Sequence, residues 1–199
     1  MARINILPEP AFLELKPLLL TRLAHVGASI HAEQFGTLLD PLIRAALEQG
    51  FSGAGAHEGT VWLVDETIES LVPAYNSGAQ AERLVGKFKQ PLNAGLICMV
   101  FASEQPFLEN EVWKNSRQSK QLDAFLRVQT CAMIAVPFYL LQACRGVVSC
   151  VQLRTPAVPD PRGFGPEHLA SIQRASALVS RLLEYRLLSS TVGWTSECL

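Results

Sequence analysis

The chain has 199 residues, is 49% hydrophobic, and sets 17 Lys and Arg against 18 Asp and Glu, for a formal charge of -1. That length and apolar content suffice for one sizeable core with peripheral helices, so a single domain is expected. The near-balance of charge, without a cluster of Lys and Arg, excludes nucleic acid and anionic membrane as expected partners.

Pro8 and Pro10 predict an extended start, with Phe12, Leu13 and Leu15 offering apolar contact before Pro17. From Pro17 onward Leu19, Leu20, Leu23, Val26 and Ile30 recur at helical spacing, and proline suits a first turn, which predicts a helix of about three turns. Thr37 is the expected N-cap of a second helix, with Asp40 completing a short-armed capping box. Pro41 then falls in the first turn, whose N–H groups lack intrahelical partners. Leu39, Leu42, Ile43, Ala46 and Leu47 form the apolar face, and Gly50 the expected end.

After a Gly- and Ala-rich loop at 52–59, residues 60–64 (Thr-Val-Trp-Leu-Val) read as a central strand. Residues 71–75 are its expected hairpin partner, and Asn76-Ser77-Gly78 supplies turn chemistry. Lys87-Phe88-Lys89 reads as a short edge strand, with lysines that discourage edge-to-edge pairing. Residues 93–103 read as a helix, followed by an extended piece ending at Pro106-Phe107-Leu108, a second short helix, and two apolar strands at 130–139 and 145–153 joined through 138–144.

Alternation places Cys131, Met133 and Ala135 on one face of the first of these strands, and Ala132, Ile134 and Val136 on the other. The second divides into Val147, Ser149 and Val151 against Val148, Cys150 and Gln152. Both faces are mostly apolar, so the sheet should be covered on both sides. A proline-rich linker at 155–161 leads to a helix from Pro166, in which Leu169, Ile172, Ala175, Ser176, Val179, Leu182, Leu183 and Leu187 recur at intervals of three and four.

No apolar run is long enough for a signal-peptide core or a bilayer span. Five cysteines, Cys98, Cys131, Cys144, Cys150 and Cys198, form no Cys-x-x-Cys pair and read as free thiols of a cytoplasmic protein.

This order of elements resembles the GAF family of small-molecule sensor domains. The details that carry it are Gly95 opening an apolar helix, the QPFLENEV segment at 105–112, MIAVPF at 133–138 and RGVVSCVQL at 145–153. The resemblance implies an α/β (α+β) fold with a central antiparallel sheet of about six strands covered by helices. The GAF-like domain would span 37–154, preceded by an N-terminal segment and helix at 1–36. A linker and C-terminal helix at 155–190 would pack with the N-terminal helix in a bundle, leaving a tail at 191–199.

Specialised members of the family are not matched residue by residue. Cyclic-nucleotide-binding members carry Asn-Lys and later Phe and Asp-Glu, whereas here Lys114-Asn115 is reversed and Phe125 is followed by Val128-Gln129. Bilin-binding members use Cys beside His, but Cys131 precedes Ala132 and Cys144 precedes Arg145. His25, His31, His57 and His168 read as solvated or capping groups, with no metal site expected. Against the free methionine sulfoxide reductases, Leu126 falls where the catalytic thiol would lie, and Met133, Ser149 and Val151 fall where acidic substrate-binding residues would lie. Asp123, Glu109 and Glu111 read as solvated carboxylates. No catalytic residue and no cofactor are expected.

In the family the pocket lies between one sheet face and the helix and loop segments crossing it. The resemblance therefore implies a floor of Met133, Ser149 and Val151 with Cys131 and Ala135 beside them, and a lid of Cys98, Phe101, Phe107, Trp113 and Phe125. Ser149, Asn110, Thr130 and Arg127 would orient a flat, largely apolar small molecule. Two alternatives stand beside this sensor: a structural dimerisation module whose pocket those side chains fill, and a redox enzyme or switch built on Cys98 or Cys131. No further domain is expected after position 199, so output would pass through a partner signalling protein or a homodimer. Leu19, Leu23, Val26, Val179, Leu182, Leu183 and Leu187 exceed what one sheet face can cover and are assigned to that dimer interface.

Overall fold

β-branched and aromatic runs in four stretches of the chain build the middle of one sheet. In a computed structural model, which describes residues 10–141, 143–155, 159–191 and 193, these are β1 (Glu58–Val64), β2 (Ser70–Asn76), β5 (Thr130–Leu140) and β6 (Ala143–Leu153). Short edge strands β3 (Gln90–Pro91) and β4 (Phe107–Glu109) complete six antiparallel strands in the order β3-β2-β1-β6-β5-β4. The expected extended start before Pro10, linker residues 156–158 and the tail beyond 193, with Cys198, lie outside the described residues.

The period of two divides the sheet's side chains into two cores. On one face Val61, Leu63, Val148, Cys150 and Ile134 meet α3 (Pro41–Gly53), through Ile43, Leu47 and Phe51, and α7 (Pro166–Thr191), through Ile172, Val179 and Leu183. On the other, Trp62, Val64, Val147 and Ala135 meet α4 (Ala81–Leu84), α5 (Leu96–Ser103) and α6 (Gln121–Leu126) through Leu84, Ile97, Val100 and Leu126. The sheet is covered on both sides, as its apolar faces require.

Several element boundaries differ from the sequence expectation. α1 (Pro10–Ala28) begins at Pro10 and carries Pro17 inside it, because the tolerance of a first turn for proline applies at Pro10. Thr37 lies within α2 (Ala32–Leu38), where its hydroxyl donates to the Gln34 carbonyl at 2.7 Å, and caps nothing. Asp40 is the cap of α3: its Oδ1 accepts the Ile43 N–H at 2.8 Å, and Pro41 follows in the first turn. Gly50 does not end α3. A Cβ there would stand 2.7 Å from the Cβ of Ala175, so this glycine permits the close approach of α3 to α7.

The edge strand pairs at 90–91 and not at 87–89, because Phe88 turns inward to meet Trp62 edge-on with ring centroids 6.2 Å apart. The residues assigned to a dimer interface are largely core. Val179 and Leu183 are 0% exposed, and Leu187 and Leu23 are also buried within the chain. The cause is that α7 lies across the sheet against α3 and β5, so its apolar stripe is spent inside the protomer. Leu19, Val26 and Leu182 are half-buried. α1 does pack against α7, and no helix among the described residues is long and apolar enough to cross a membrane.

Candidate functional site

On the face opposite α7, the sheet and the segments that cross it leave a cavity of about 60 Å³. Its floor is built by strand register: β1 pairs Thr60 with Ser149, and alternation sets Trp62, Met133 and Val151 on the same side. Leu96 and Ile97 from the first turn of α5, and Leu122, Asp123 and Leu126 from α6, form the opposite wall. Gly95 takes φ 96° to start α5, and a Cβ there would press on Ser119 at 3.2 Å, so the turn into α5 and the 115–120 loop close together.

The polar groups of the cavity hold one another. The Trp62 indole N–H donates to Ser149 Oγ at 2.9 Å in a buried setting, so Ser149 serves first to satisfy the tryptophan. Asn76 donates to Thr60 Oγ1 at 2.9 Å and accepts the Gly78 N–H at 2.8 Å, while Glu58 Oε2 lies 3.4 Å from the same amide nitrogen. Gln90 donates to the Ala94 carbonyl at 3.0 Å and braces the turn into α5. Asp123, expected to be solvated, is half-buried instead. It accepts the Thr130 hydroxyl at 2.7 Å, the Thr130 N–H at 3.0 Å and the Gln118 amide at 3.1 Å.

Of the residues assigned from sequence, Met133, Ser149, Val151 and Thr130 line this cavity. The expected lid does not. In α6 the helical phase turns Leu122, Asp123 and Leu126 inward and Phe125 outward, where it meets Phe88 at 5.5 Å and lies under the Arg83 guanidinium at 5.5 Å. Phe101 and Phe107 pack against the core beside the cavity, as does Ala135.

Trp113 and Arg127 line an outer groove. There Arg154 stands over the Trp113 ring at 5.3 Å, and Arg127 is the left-handed cap of α6 at φ 57°. Asn110 clasps Phe164, donating to its carbonyl at 3.0 Å and accepting its N–H at 2.7 Å, which ties β4 to the chain leading into α7. Cys131 is buried beside Arg154 and Cys98 donates to the Pro91 carbonyl at 3.3 Å; neither lines the cavity.

Sequence reasoning missed Thr60, Trp62, Asn76, Gln90, Gln118, Leu122 and Asp123. Alternation along 60–64 could have placed Thr60 and Trp62 beside Ser149; nothing local signals the others. Burial pushes the Cys98 and Cys150 thiols up to about 12 and also raises Cys131 and Cys144, so all four stay protonated near neutral pH.

No family model matches the chain, and no curated protein matches its sequence. Solved structures match its fold. The GAF domain of a phosphoenolpyruvate-protein phosphotransferase from Coxiella burnetii is similar at 15% identity and TM-score 0.60, over 94% of this chain and 100% of that one. The PixJ GAF domain of Thermosynechococcus elongatus in its blue-light absorbing form aligns at 13% identity and TM-score 0.59, over 76% and 88%. Free methionine-R-sulfoxide reductase from Neisseria meningitidis, solved with its substrate, aligns at 15% identity and TM-score 0.51, over 97% and 99%. At these identities the likeness establishes the GAF fold.

Proposed function

We propose that the chain is a non-enzymatic sensory or regulatory module of the GAF type in signal transduction, and that the cavity beneath α5 and α6 takes a small, largely apolar molecule. The observation that carries this reading is the partly enclosed space on the sheet face. Its exposed lining is mainly apolar, from side chains such as Leu84, Leu96, Ile97, Leu126, Met133 and Val151, and Ser149, Asn76, Gln90 and Thr130 among its polar groups already hold partners. Drug-sized ligands occupy pockets of about 300–1,000 Å³, so a cavity near 60 Å³ selects something far smaller than a nucleotide or a bilin.

Against the reductase reading stand the described thiols, Cys98, Cys131 and Cys150 buried and Cys144 half-buried, whose raised pKa values keep them un-nucleophilic, and Leu126 at the wall where a thiol would be needed.

The test is a thermal-shift screen of small apolar compounds on the native chain and on Val151→Phe, which places a ring in the cavity. A ligand at a hundredfold excess over its Kd stabilises by about 2.7 kcal/mol, so modest binders register. Hits that vanish in the variant support the reading; hits that survive move the site elsewhere.

A second reading, self-association, is favoured by one observation. The first turns of α1 expose Phe12, Leu13, Leu15 and Leu18 to solvent, more apolar surface than a lone helix end needs.

A further inference from the structure

We infer that the ligand carries a primary ammonium group, which binds Asp123 in place of the Gln118 amide and so releases the 115–120 loop. The inference rests on the cavity being a ligand site. Its basis is the charge of the lining: two carboxylates, Glu58 and Asp123, face the space, and among the described residues no Lys, Arg or His does. Neither carboxylate forms an ion pair among the described residues. Lys120 and Arg127 stand on the other side of Asp123, in the outer groove. An anionic ligand would meet uncompensated negative charge in a partly enclosed space, whereas an ammonium ion would neutralise it.

The geometry identifies Asp123 as the recognition group. Asp123 accepts three hydrogen bonds, one at Oδ1 from the Thr130 hydroxyl and two at Oδ2, from the Thr130 N–H and the Gln118 amide. The Thr130 bonds pin the start of β5 and are structural. The Gln118 bond joins α6 to a loop that belongs to no helix or strand. Gln118 also borders three spaces at once, the cavity, the outer groove beside Trp113 and the groove beside Met99, so with Asp123, Val128 and Ser119 it forms the wall between ligand space and solvent. A neutral amide donating to a carboxylate is the weaker form of the bond that an ammonium donor makes, so the exchange favours the ligand. Replacing Gln118 removes the loop's tie to α6, which turns occupancy of the cavity into movement of a surface segment.

Size completes the class. At about 10–15 Å³ per water-sized site, a cavity near 60 Å³ holds roughly four to six non-hydrogen atoms, which fits an ammonium head on a short branched chain.

The test uses isobutylamine, isobutanol and isobutyrate on the native chain, with Kd from calorimetry and hydrogen exchange of the 115–120 amides. Isobutylamine should bind at least about tenfold tighter than isobutanol, as a charge-assisted bond implies. Isobutyrate should not bind, and the amine alone should speed exchange in the loop. Asp123→Asn should remove the preference for amine over alcohol. Because Asp123 also anchors Thr130, Gln118→Ala gives a second measure with that anchor intact: without its competitor, Asp123 should favour isobutylamine over isobutanol by a several-fold larger ratio than in the native chain. Equal binding of amine and alcohol, or an amine affinity indifferent to both substitutions, overturns the ammonium class and leaves the pocket standing. Binding of none of the three compounds overturns both.

Discussion

At the scale of single residues, the pair that shapes the cavity floor is Trp62 and Ser149. Ser149→Ala would leave the buried indole N–H without an acceptor, at a cost of about 1–3 kcal/mol in urea unfolding. The thiols make a separate prediction about pH. Below about pH 8.5, Cys150 is protonated in both the folded and the unfolded chain and adds nothing to the pH dependence. Above it the unfolded chain sheds a proton that the folded chain holds until about pH 12, so stability falls as pH rises, by at most about 1.4 kcal/mol per pH unit for this group. Unfolding at pH 8 and pH 10 should show a fall to which Cys98, raised as far, also contributes, and Cys150→Ala should lessen it. Strict strand alternation made it legible that Met133 shares a face with its strand neighbours and Ser149 with Val151, and the resemblance assigned those faces to the floor of a pocket. Asp123 was not legible, since a carboxylate on a short helix looks solvated until the Thr130 and Gln118 donors, seven and five residues away, close on it.

Among the elements, strands and long helices were readable and their ends were not. Thr37 and Asp40 are both good capping residues, and burial of Phe35 and Ala32 in α2 decided between them by drawing Thr37 into a helix. Asp40→Ala should therefore cost about 0.5–2 kcal/mol while Thr37→Ala stays within about 0.5 kcal/mol, both by urea denaturation. The exposed Arg186 to Asp40 pair at 3.2 Å adds little to that difference. The lid failed for a related reason: helix phase cannot be read from four or five residues, so the aromatic Phe125 was placed inward although Leu122 and Leu126 occupy that side. α7 carries the strongest correction. Its stripe has the spacing of an interface helix, but the stripe faces α3 and β5, so Leu183→Glu should unfold the protein, at a cost on the order of 4 kcal/mol or more. A folded Leu183→Glu variant would contradict that packing.

For the whole molecule, the open account is α1. One side of it turns Leu23 inward and leaves Leu19 and Val26 half-buried, but the rest faces solvent, with Phe12 53%, Leu13 51%, Leu15 57%, Leu18 69% and Leu20 47% exposed. At 3.6 residues per turn these positions spread around the axis and do not form a single stripe, which suits a helix packed among several others. Leu178 and Tyr185, exposed on α7, add apolar surface on the helix that α1 packs against. Two copies joined through α1 would cover this surface in a helical bundle while leaving both cavities, on the opposite side of the sheet from α7, free for ligand. The chain should accordingly sediment as a dimer at micromolar concentration. The double variant Leu13→Glu, Leu18→Glu should sediment as a monomer, because charge at a buried apolar interface is costly, yet unfold within about 0.5 kcal/mol per site of the parent, since neither side chain touches the core. A parent chain that sediments as a monomer would end the dimer reading, and a variant that stays dimeric would move the interface off α1. Ligand binding should persist in the monomeric variant, because no residue of α1 lines the cavity.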